Sequence, residues 1–308
     1  MSDPSREATE QALDTVIDPH LQASLMVAKT VRDIRIDRDA VVIDIELPYP
    51  ARRWQDTLRE RVVAAVARDT GADDVQVTIT QKVTAHSVQK GIRRLENVRN
   101  IIAIASGKGG VGKSTTAVNL ALALAADGAS VGLLDADIYG PSQPRMMGLA
   151  GQPESKDGKS LEPMENHGVQ CMSIGFLIDE ETPMIWRGPM VTQALEQLLN
   201  DTNWRDLDYL LIDMPPGTGD TQLTLSQKVP LSGAIIVTTP QDIALLDARK
   251  GLKMFEKVEV PILGIVENMS THVCSQCGHE EHIFGHGGGA HMADEAGVTL
   301  LGSLPLEL

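Results

Sequence analysis

The sequence of 308 residues predicts an α/β protein with a doubly wound, mainly parallel sheet, preceded by a small α+β domain. From residue 101 onward, short apolar runs alternate with segments of helical periodicity, which is typical of parallel strands joined by crossover helices. Before residue 85, strand-like and helical segments form a compact unit of different organisation. In the second part, strands are predicted at residues 101–105, 131–134, 209–212, 234–240 and 262–268, and helices at 115–126, 192–199 and 244–255.

The first part of the chain combines two helical segments with three strand-like ones. The predicted elements are helical residues 8–30 with a turn at Asp18 and Pro19, strands 34–36 and 41–47 around a polar turn at 37–39, helix 54–70 ending at Gly71, and strand 75–80. The segment that follows is rich in Lys and Arg and is interpreted as a linker, for which a helix is one option. We therefore divide the chain into residues 1–85, a linker at 86–100 and a second domain at 101–308.

A glycine-rich loop between the strand at 101–105 and the helix at 115–126 matches the pattern G-x-x-x-x-G-K-[ST]. Its glycines let consecutive N–H groups and the positive end of the new helix face phosphates. Lys113 is predicted to reach the β- and γ-phosphates and Ser114 to ligate Mg²⁺, which favours ATP binding over a plain glycine-rich turn. The candidate nucleotide-binding residues are Gly107, Lys108, Gly109, Gly110, Val111, Gly112, Lys113, Ser114 and Thr115.

Carboxylates follow two other predicted strands. Asp135 and Asp137 come after the run at 131–134, and Asp213 ends the run at 209–212. Ligands of open α/β sheets bind at the carboxyl ends of the strands. Asp213 is predicted to hold Mg²⁺ through water, and the Gly217 N–H to sense the γ-phosphate. Taken alone, an aspartate at a strand end is a turn residue or a helix cap as often as it is a functional residue.

Cys274 and Cys277 have the spacing that places two thiolates on one metal ion or cluster, which is half of a four-ligand shell. From spacing alone, zinc completed by two neighbouring histidines, an iron-sulfur cluster and a redox pair all remain open. The nearby histidines are His272, His279, His282, His286 and His291. The remaining cysteine, Cys171, is predicted to be a small buried hydrophobe.

Several of these motifs resemble one family. GKGGVGKST is similar to the deviant Walker A motif of SIMIBI-class ATPases, which include Mrp/ApbC proteins, septum-site and partition ATPases and the nitrogenase iron protein. DMPPGTGD resembles the switch of the Mrp/ApbC group, whose C-x-x-C also follows the strand ending in VENMS. Residues 1–85 resemble the small domain of iron-sulfur assembly factors. The segment WRGPM also matches, and its Arg187 is interpreted as a surface-loop residue.

The resemblance implies specific roles. Lys108 would cross a homodimer interface to the partner's nucleotide, Asp137 would orient the attacking water, and Asn268 would recognise adenine. Cys274 and Cys277 of both subunits would hold a bridging 4Fe-4S cluster. These roles, with Lys108, Lys113 and Asp137 as catalytic residues, predict an ATP-hydrolysing iron-sulfur carrier that passes its cluster to recipient apoproteins.

Composition limits the other function classes. The net charge is -15 and the sequence pI is about 4.9, so nucleic acid and anionic membrane surfaces are not expected partners. The polar N-terminus, the absence of long apolar runs and the three cysteines favour a cytoplasmic location. A partition or septum-type spatial-organisation ATPase is the first alternative, and a zinc-binding, nucleotide-dependent module is the second.

Overall fold

The computed structural model describes residues 5–38, 40–177 and 188–307. Asp39, in the predicted turn at 37–39, and Arg187 lie outside the described residues. The chain divides into two compact units. One unit runs to Thr84 and includes Ala126–Ala129, and the other contains Ala85–Ala125 and the chain from Ser130 onward.

The first unit is an α+β structure with a three-stranded sheet in the order β3-β4-β5. Strands β3 and β4 are antiparallel, whereas β4 and β5 are parallel. Its elements are α1 (Arg6–Asp14), β1 (Ile17–Asp18), β2 (Ala23–Ser24), β3 (Val31–Asp37), β4 (Ala40–Leu47), α2 (Gln55–Thr70) and β5 (Asp74–Gln81). The strands and the second helix predicted from sequence are thus present, and Gly71 ends α2 with a φ of 71°.

The prediction of helix over residues 8–30 is wrong beyond Asp14. Asp18 is fully buried, and its Oδ1 accepts the backbone N–H groups of His20 and Leu21 at 2.8 and 3.4 Å. This arrangement stabilises a turn at Pro19, which has no N–H to continue a helix. The short β1–β2 ladder occupies the place predicted to be helical.

The core of this unit comes from alternation along β4. Val41, Ile43, Ile45 and Leu47 are at most 1% exposed, while the residues between them are half-buried. The buried residues of α2, which include Leu58, belong to the same core. Burial of each such side chain contributes roughly 1.5–3 kcal/mol to the free energy of unfolding, so one face of β4 supplies much of the stability of this unit.

The second unit is built on an eight-stranded sheet in the order β15-β12-β11-β6-β10-β7-β9-β8. Its first elements are β6 (Val98–Ala105), α3 (Lys113–Ala126), β7 (Val131–Asp135), α4 (Gln143–Met146), β8 (Met164–Asn166), β9 (Val169–Ser173), α5 (Gly188–Asp201) and β10 (Leu207–Asp213). The remaining ones are α6 (Asp220–Lys228), β11 (Gly233–Thr238), α7 (Asp242–Lys257), β12 (Ile262–Glu267), β13 (His272–Val273), β14 (Glu280–Glu281), α8 (Gly288–Ala296) and β15 (Leu300–Ser303).

The pairing confirms the predicted doubly wound, mainly parallel sheet. Every described pair in this sheet is parallel except β8 with β9. From β6 the chain first builds β7 and β9 on one side, and later β11, β12 and β15 on the other. The strand order therefore reverses at β6, which is where open α/β sheets bind ligands.

The segment predicted as a linker forms no helix among the described residues 82–97. Gln89 is buried there, and its Nε2 donates to the Ser226 carbonyl of α6 at 2.9 Å. That contact ties the segment to the second unit. No helix in the described part of the chain combines the length and apolarity needed to span a bilayer.

We expect Gly107→Ala to destabilise the nucleotide-free protein by about 2–3 kcal/mol. A Cβ at Gly107 would lie 2.1 Å from the Asp247 carbonyl carbon of α7, a backbone atom that no rotamer change can move. Gly109→Ala is the matched control, because its Cβ meets only the Pro216 side chain at 3.9 Å. Urea unfolding measures both variants, and equal stabilities would contradict the close packing of this loop on α7.

Candidate functional site

The phosphate loop, residues 107–114, joins β6 to α3 at the carboxyl edge of the sheet. Gly110 and Gly112 have φ values of 80° and 84°, which residues with a side chain rarely adopt. Below the loop, the Ser106 hydroxyl donates to the Lys108 carbonyl at 2.9 Å. The loop therefore has the backbone geometry that turns N–H groups towards an oxyanion.

Among the described residues, Lys113 is the only cation within ion-pair distance of Asp137 or Asp213. Its ammonium forms a buried ion pair with Asp213 Oδ1 and lies 4.0 Å from Asp137 Oδ2. It is also 3.2 Å from the Ser114 hydroxyl. The structure thus brings together four residues that the sequence analysis selected from three separate strand ends.

Asp135 lies beneath this cluster and is completely buried. Its oxygens accept from Asp137 N at 3.1 Å, Gln143 N at 3.0 Å and Ser173 Oγ at 3.2 Å. Burial, followed by the neighbouring Asp213 carboxylate, raises the pKa of Asp135 to about 7. These contacts make Asp135 an organiser of the loop that carries Asp137.

Asp137 itself is partly accessible, with 15% of its side chain exposed. Burial raises the pKa of its carboxyl group, and the Lys113 ammonium opposes that shift. A carboxylate with a raised pKa is a better proton acceptor at neutral pH than an exposed one. The geometry therefore suits the predicted role of Asp137 near attacking water.

Gln143, at the start of α4, is a site residue that the sequence analysis missed. Its Nε2 donates to Asp213 Oδ2 at 2.9 Å and to the Ser114 carbonyl at 3.0 Å. Its Oε1 is buried and has no donor among the described residues, and the same holds for the Ser142 hydroxyl. The only sequence signal was its position in the loop after Asp135, since Asp213 is 70 residues away.

The other predicted nucleotide contacts lie around the phosphate loop. The Gly217 N–H donates to the Ser106 carbonyl at 3.0 Å, so the segment after β10 rests on the base of the loop. Asn268 Nδ2 donates to the Val111 carbonyl at 3.0 Å, directly behind Gly112. The Lys108 side chain is half-exposed and has no ion-pair partner in the described part of the chain.

Cys274 and Cys277 lie at the tip of a small antiparallel hairpin formed by β13 and β14, which we call the CxxC hairpin, residues 272–281. The Cys274 N–H donates to the His279 carbonyl and the Gly278 N–H to the Cys274 carbonyl, both at 2.9 Å. Backbone N–H groups of Gln276 and Cys277 lower the pKa of the Cys274 thiol. The hairpin therefore presents an exposed Cys277 and a half-buried Cys274, and it favours the thiolate form of Cys274, which is the form that binds metal.

The histidines do not complete a metal shell around these sulfurs. Among the described residues, no group of three or more Cys, His, Asp or Glu side chains is arranged to hold a metal ion. His272 Nδ1 and His282 Nδ1 lie within hydrogen-bond distance of backbone carbonyls of Leu306 and Ser270. The described residues of one chain therefore do not form the set of ligands that a mononuclear zinc site, the alternative left open by spacing, would need.

Cys171 differs from the other two cysteines. It lies in β9 with no exposed surface, as predicted for a small buried hydrophobe. Burial raises the pKa of its thiol far above the usual range. Only the hairpin cysteines are therefore placed for metal chemistry.

Comparisons with known proteins match both parts of the chain. The family described as NUBPL iron-transfer P-loop NTPase matches residues 97–308, and the family described as iron-sulfur cluster assembly protein matches residues 6–94. The iron-sulfur cluster carrier protein of Pseudomonas fragi is 60% identical over 246 residues, which cover 79% of this chain and 86% of that protein. The Haemophilus influenzae protein of the same description is 50% identical over 300 residues, 97% and 81% of the two chains.

A solved structure supports the fold of the second unit. A nucleotide-binding protein from Archaeoglobus fulgidus, in complex with ADP, is 39% identical with a TM-score of 0.62. The match covers 70% of this chain and 84% of that one.

We expect Cys274 to be alkylated by iodoacetamide with a midpoint pH below that of the same cysteine in the urea-unfolded chain. Folding supplies the N–H groups that stabilise the Cys274 thiolate, and unfolding removes them. Peptide mass spectrometry after timed labelling measures the rate at each pH. Buried Cys171 serves as the internal control and should remain unlabelled until the chain unfolds. An unchanged midpoint on unfolding would show that the hairpin does not activate Cys274.

Proposed function

The chain belongs to the family of NUBPL iron-transfer P-loop NTPases, and we propose that it carries one 4Fe-4S cluster between two subunits and delivers it to apoproteins. ATP binding and hydrolysis at the phosphate loop would control the interface. Family membership favours this carrier function over a spatial-organisation ATPase. The proposal divides the chain into an assembly-type domain at residues 1–85, a linker at 86–100 and the ATPase domain at 101–308.

The observation that carries the proposal is the CxxC hairpin. It offers two thiols at an accessible tip, with Cys277 exposed and Cys274 half-buried, and no third ligand from the described residues of the same chain. Two subunits would provide four thiolates, the number that a 4Fe-4S cluster requires. A cluster held at such a tip is accessible to a recipient, as a carried cargo must be.

At the nucleotide site, the buried Lys113–Asp213 pair suggests how binding begins. A triphosphate in the loop would attract the Lys113 ammonium, which would exchange Asp213 for phosphate oxygens. Residues 107–115 would surround the phosphates with N–H groups at the positive end of α3. Gly217 would sense the γ-phosphate through the segment after β10, and Asn268 would contact adenine.

The residues present fit a hydrated Mg²⁺ ion. Gln143 Oε1 and Ser142 Oγ are buried acceptors that lack donors among the described residues, and water bound to a cation would supply such donors. Ser114 Oγ and Asp213 would hold the ion, Asp213 through water. Mg²⁺ would neutralise charge on the β- and γ-phosphates.

Hydrolysis would depend on Asp137 and on both lysines of the loop. Asp137 would orient the attacking water and accept its proton, while Lys113 would stabilise the charge that develops on the phosphates. Lys108, which has no ionic partner in the described residues, would reach the nucleotide of the other subunit. Hydrolysis is then possible only in the dimer that also completes the cluster site.

Two contacts support coupling between the nucleotide and the hairpin. Asn268 touches the phosphate loop at Val111 and lies six residues before Cys274 in the chain. Helix α7 packs against Gly107 on the loop, and Gly288 after the hairpin approaches Leu245 of the same helix. A displacement of the loop would therefore reach the hairpin through packed backbone.

We expect anaerobic reconstitution with iron and sulfide to yield about one 4Fe-4S cluster per dimer of the full chain. Cys274→Ser and Cys277→Ser should each abolish the cluster and its transfer to an apoprotein recipient, since each removes one thiolate from each subunit and leaves two of the four. Cys171→Ser is the control, because that thiol is buried in β9, and should retain the cluster. Iron, sulfide and zinc analysis with absorbance spectra gives the result. Retention of stoichiometric zinc in place of a cluster would reject the carrier proposal.

We expect Lys108→Ala to reduce ATP hydrolysis about 100-fold or more while a single chain still binds ADP. Lys113→Ala should lose hydrolysis and nucleotide affinity together, because Lys113 acts within its own loop. The control is Lys257→Ala, an exposed lysine in the last turn of α7. Calorimetry, turnover assays and sedimentation with ATP separate binding, catalysis and dimerisation. If Lys108→Ala dimerises and hydrolyses ATP like the parent, the proposed crossing is wrong.

A further inference from the structure

We propose that Gln143 is a positioning residue for the divalent cation of the nucleotide site. Its amide nitrogen would fix the Asp213 carboxylate, and its amide oxygen would accept a hydrogen bond from cation-bound water. The inference rests on the proposed Mg²⁺–ATP site and assigns a further residue to it.

Gln143 joins three parts of the site that are distant in sequence. Its side-chain nitrogen lies 2.9 Å from Asp213 Oδ2 at the end of β10 and 3.0 Å from the Ser114 carbonyl at the start of α3. Its backbone N–H donates to Asp135 Oδ2 at 3.0 Å, at the end of β7. Gln143 is 0% exposed, so these contacts are shielded from competing solvent. One residue thereby holds both strand ends against the phosphate loop.

The two oxygens of Asp213 have different partners. Oδ1 pairs with the Lys113 ammonium, and Oδ2 accepts from Gln143. When Lys113 turns to a phosphate, the contact from Gln143 remains and keeps the carboxylate from rotating. Asp213 Oδ1 is then free for cation-bound water, with its direction already set.

The amide oxygen of Gln143 provides a second, independent observation. It is buried and lacks a donor in the described part of the chain, and the adjacent Ser142 hydroxyl is in the same condition. A buried acceptor without a donor is unfavourable, and an ion or its water is a frequent reason for its presence. One acceptor belongs to Gln143, which binds Asp213, and the other belongs to the residue before it. The pattern suits water molecules held by a cation, which are strong donors.

The test compares ADP affinity in excess Mg²⁺ with ADP affinity in EDTA for the full chain, by calorimetry. We expect Gln143→Met, which keeps the side-chain length but removes donor and acceptor, to reduce the Mg²⁺-dependent gain about 10- to 100-fold. Affinity in EDTA should change less than about threefold, because Gln143 does not contact the predicted phosphate-binding N–H groups. The Mg²⁺ concentration that gives half the gain should rise in parallel.

Gln170→Met is the matched control. Gln170 is also buried, and it bonds to the backbone of Arg205 at the opposite edge of the sheet, at 3.1 and 2.9 Å. It should lose stability without losing the Mg²⁺-dependent gain, which separates positioning from general destabilisation.

The outcomes distinguish this inference from the function on which it rests. A parent chain whose ADP affinity does not depend on Mg²⁺ would overturn the proposed metal site itself. A parent that shows the gain, with Gln143→Met showing the same gain, would overturn the role of Gln143 alone. If Gln143→Met does not fold, Gln143→Asn, which withdraws the amide by one methylene, replaces it. An undiminished gain in that variant would have the same meaning.

Discussion

A single buried ammonium among three carboxylates is the constraint on which the nucleotide half of the molecule depends. Lys113 is 6% exposed and faces Asp213, with Asp137 at 4.0 Å and Asp135 behind it. Buried charges are stable only when they are paired and hydrogen-bonded. That requirement constrains the ends of β7 and β10, the start of α3 and the loop before α4. A triphosphate that competes for Lys113 therefore acts on every one of these elements.

The parallel sheet places the CxxC hairpin beside groups of the nucleotide site. Strand β12 ends beside the phosphate loop at Asn268, and its continuation becomes the CxxC hairpin. Glu267, at the same strand end, accepts the N–H of Gly289 in the first turn of α8, which follows the hairpin. The hairpin is thus anchored at both ends to groups around the nucleotide site. Close-packed elements move together, so this arrangement supports the proposed control of the cluster by ATP.

The cysteines illustrate how environment decides chemistry. Cys171 in β9 and Cys274 in the hairpin have the same side chain, yet burial raises the pKa of the first and backbone N–H groups lower that of the second. A thiolate at an exposed turn can bind and release a cluster, whereas a buried thiol contributes only packing.

The sequence by itself determined the parallel sheet, the phosphate loop and the paired cysteines, because each is encoded by local periodicity or by fixed spacing. Only the tertiary structure decided what lies between distant strand ends. Gln143 meets Asp213 across 70 residues, and Asp135 is completely buried, where it accepts the backbone N–H groups of Asp137 and Gln143. The prediction of a helix up to residue 30 was wrong because the buried Asp18 accepts hydrogen bonds from the backbone N–H groups of His20 and Leu21 and stabilises a turn there. Such contacts depend on which residues the fold buries together, and the local sequence around each residue does not predict them.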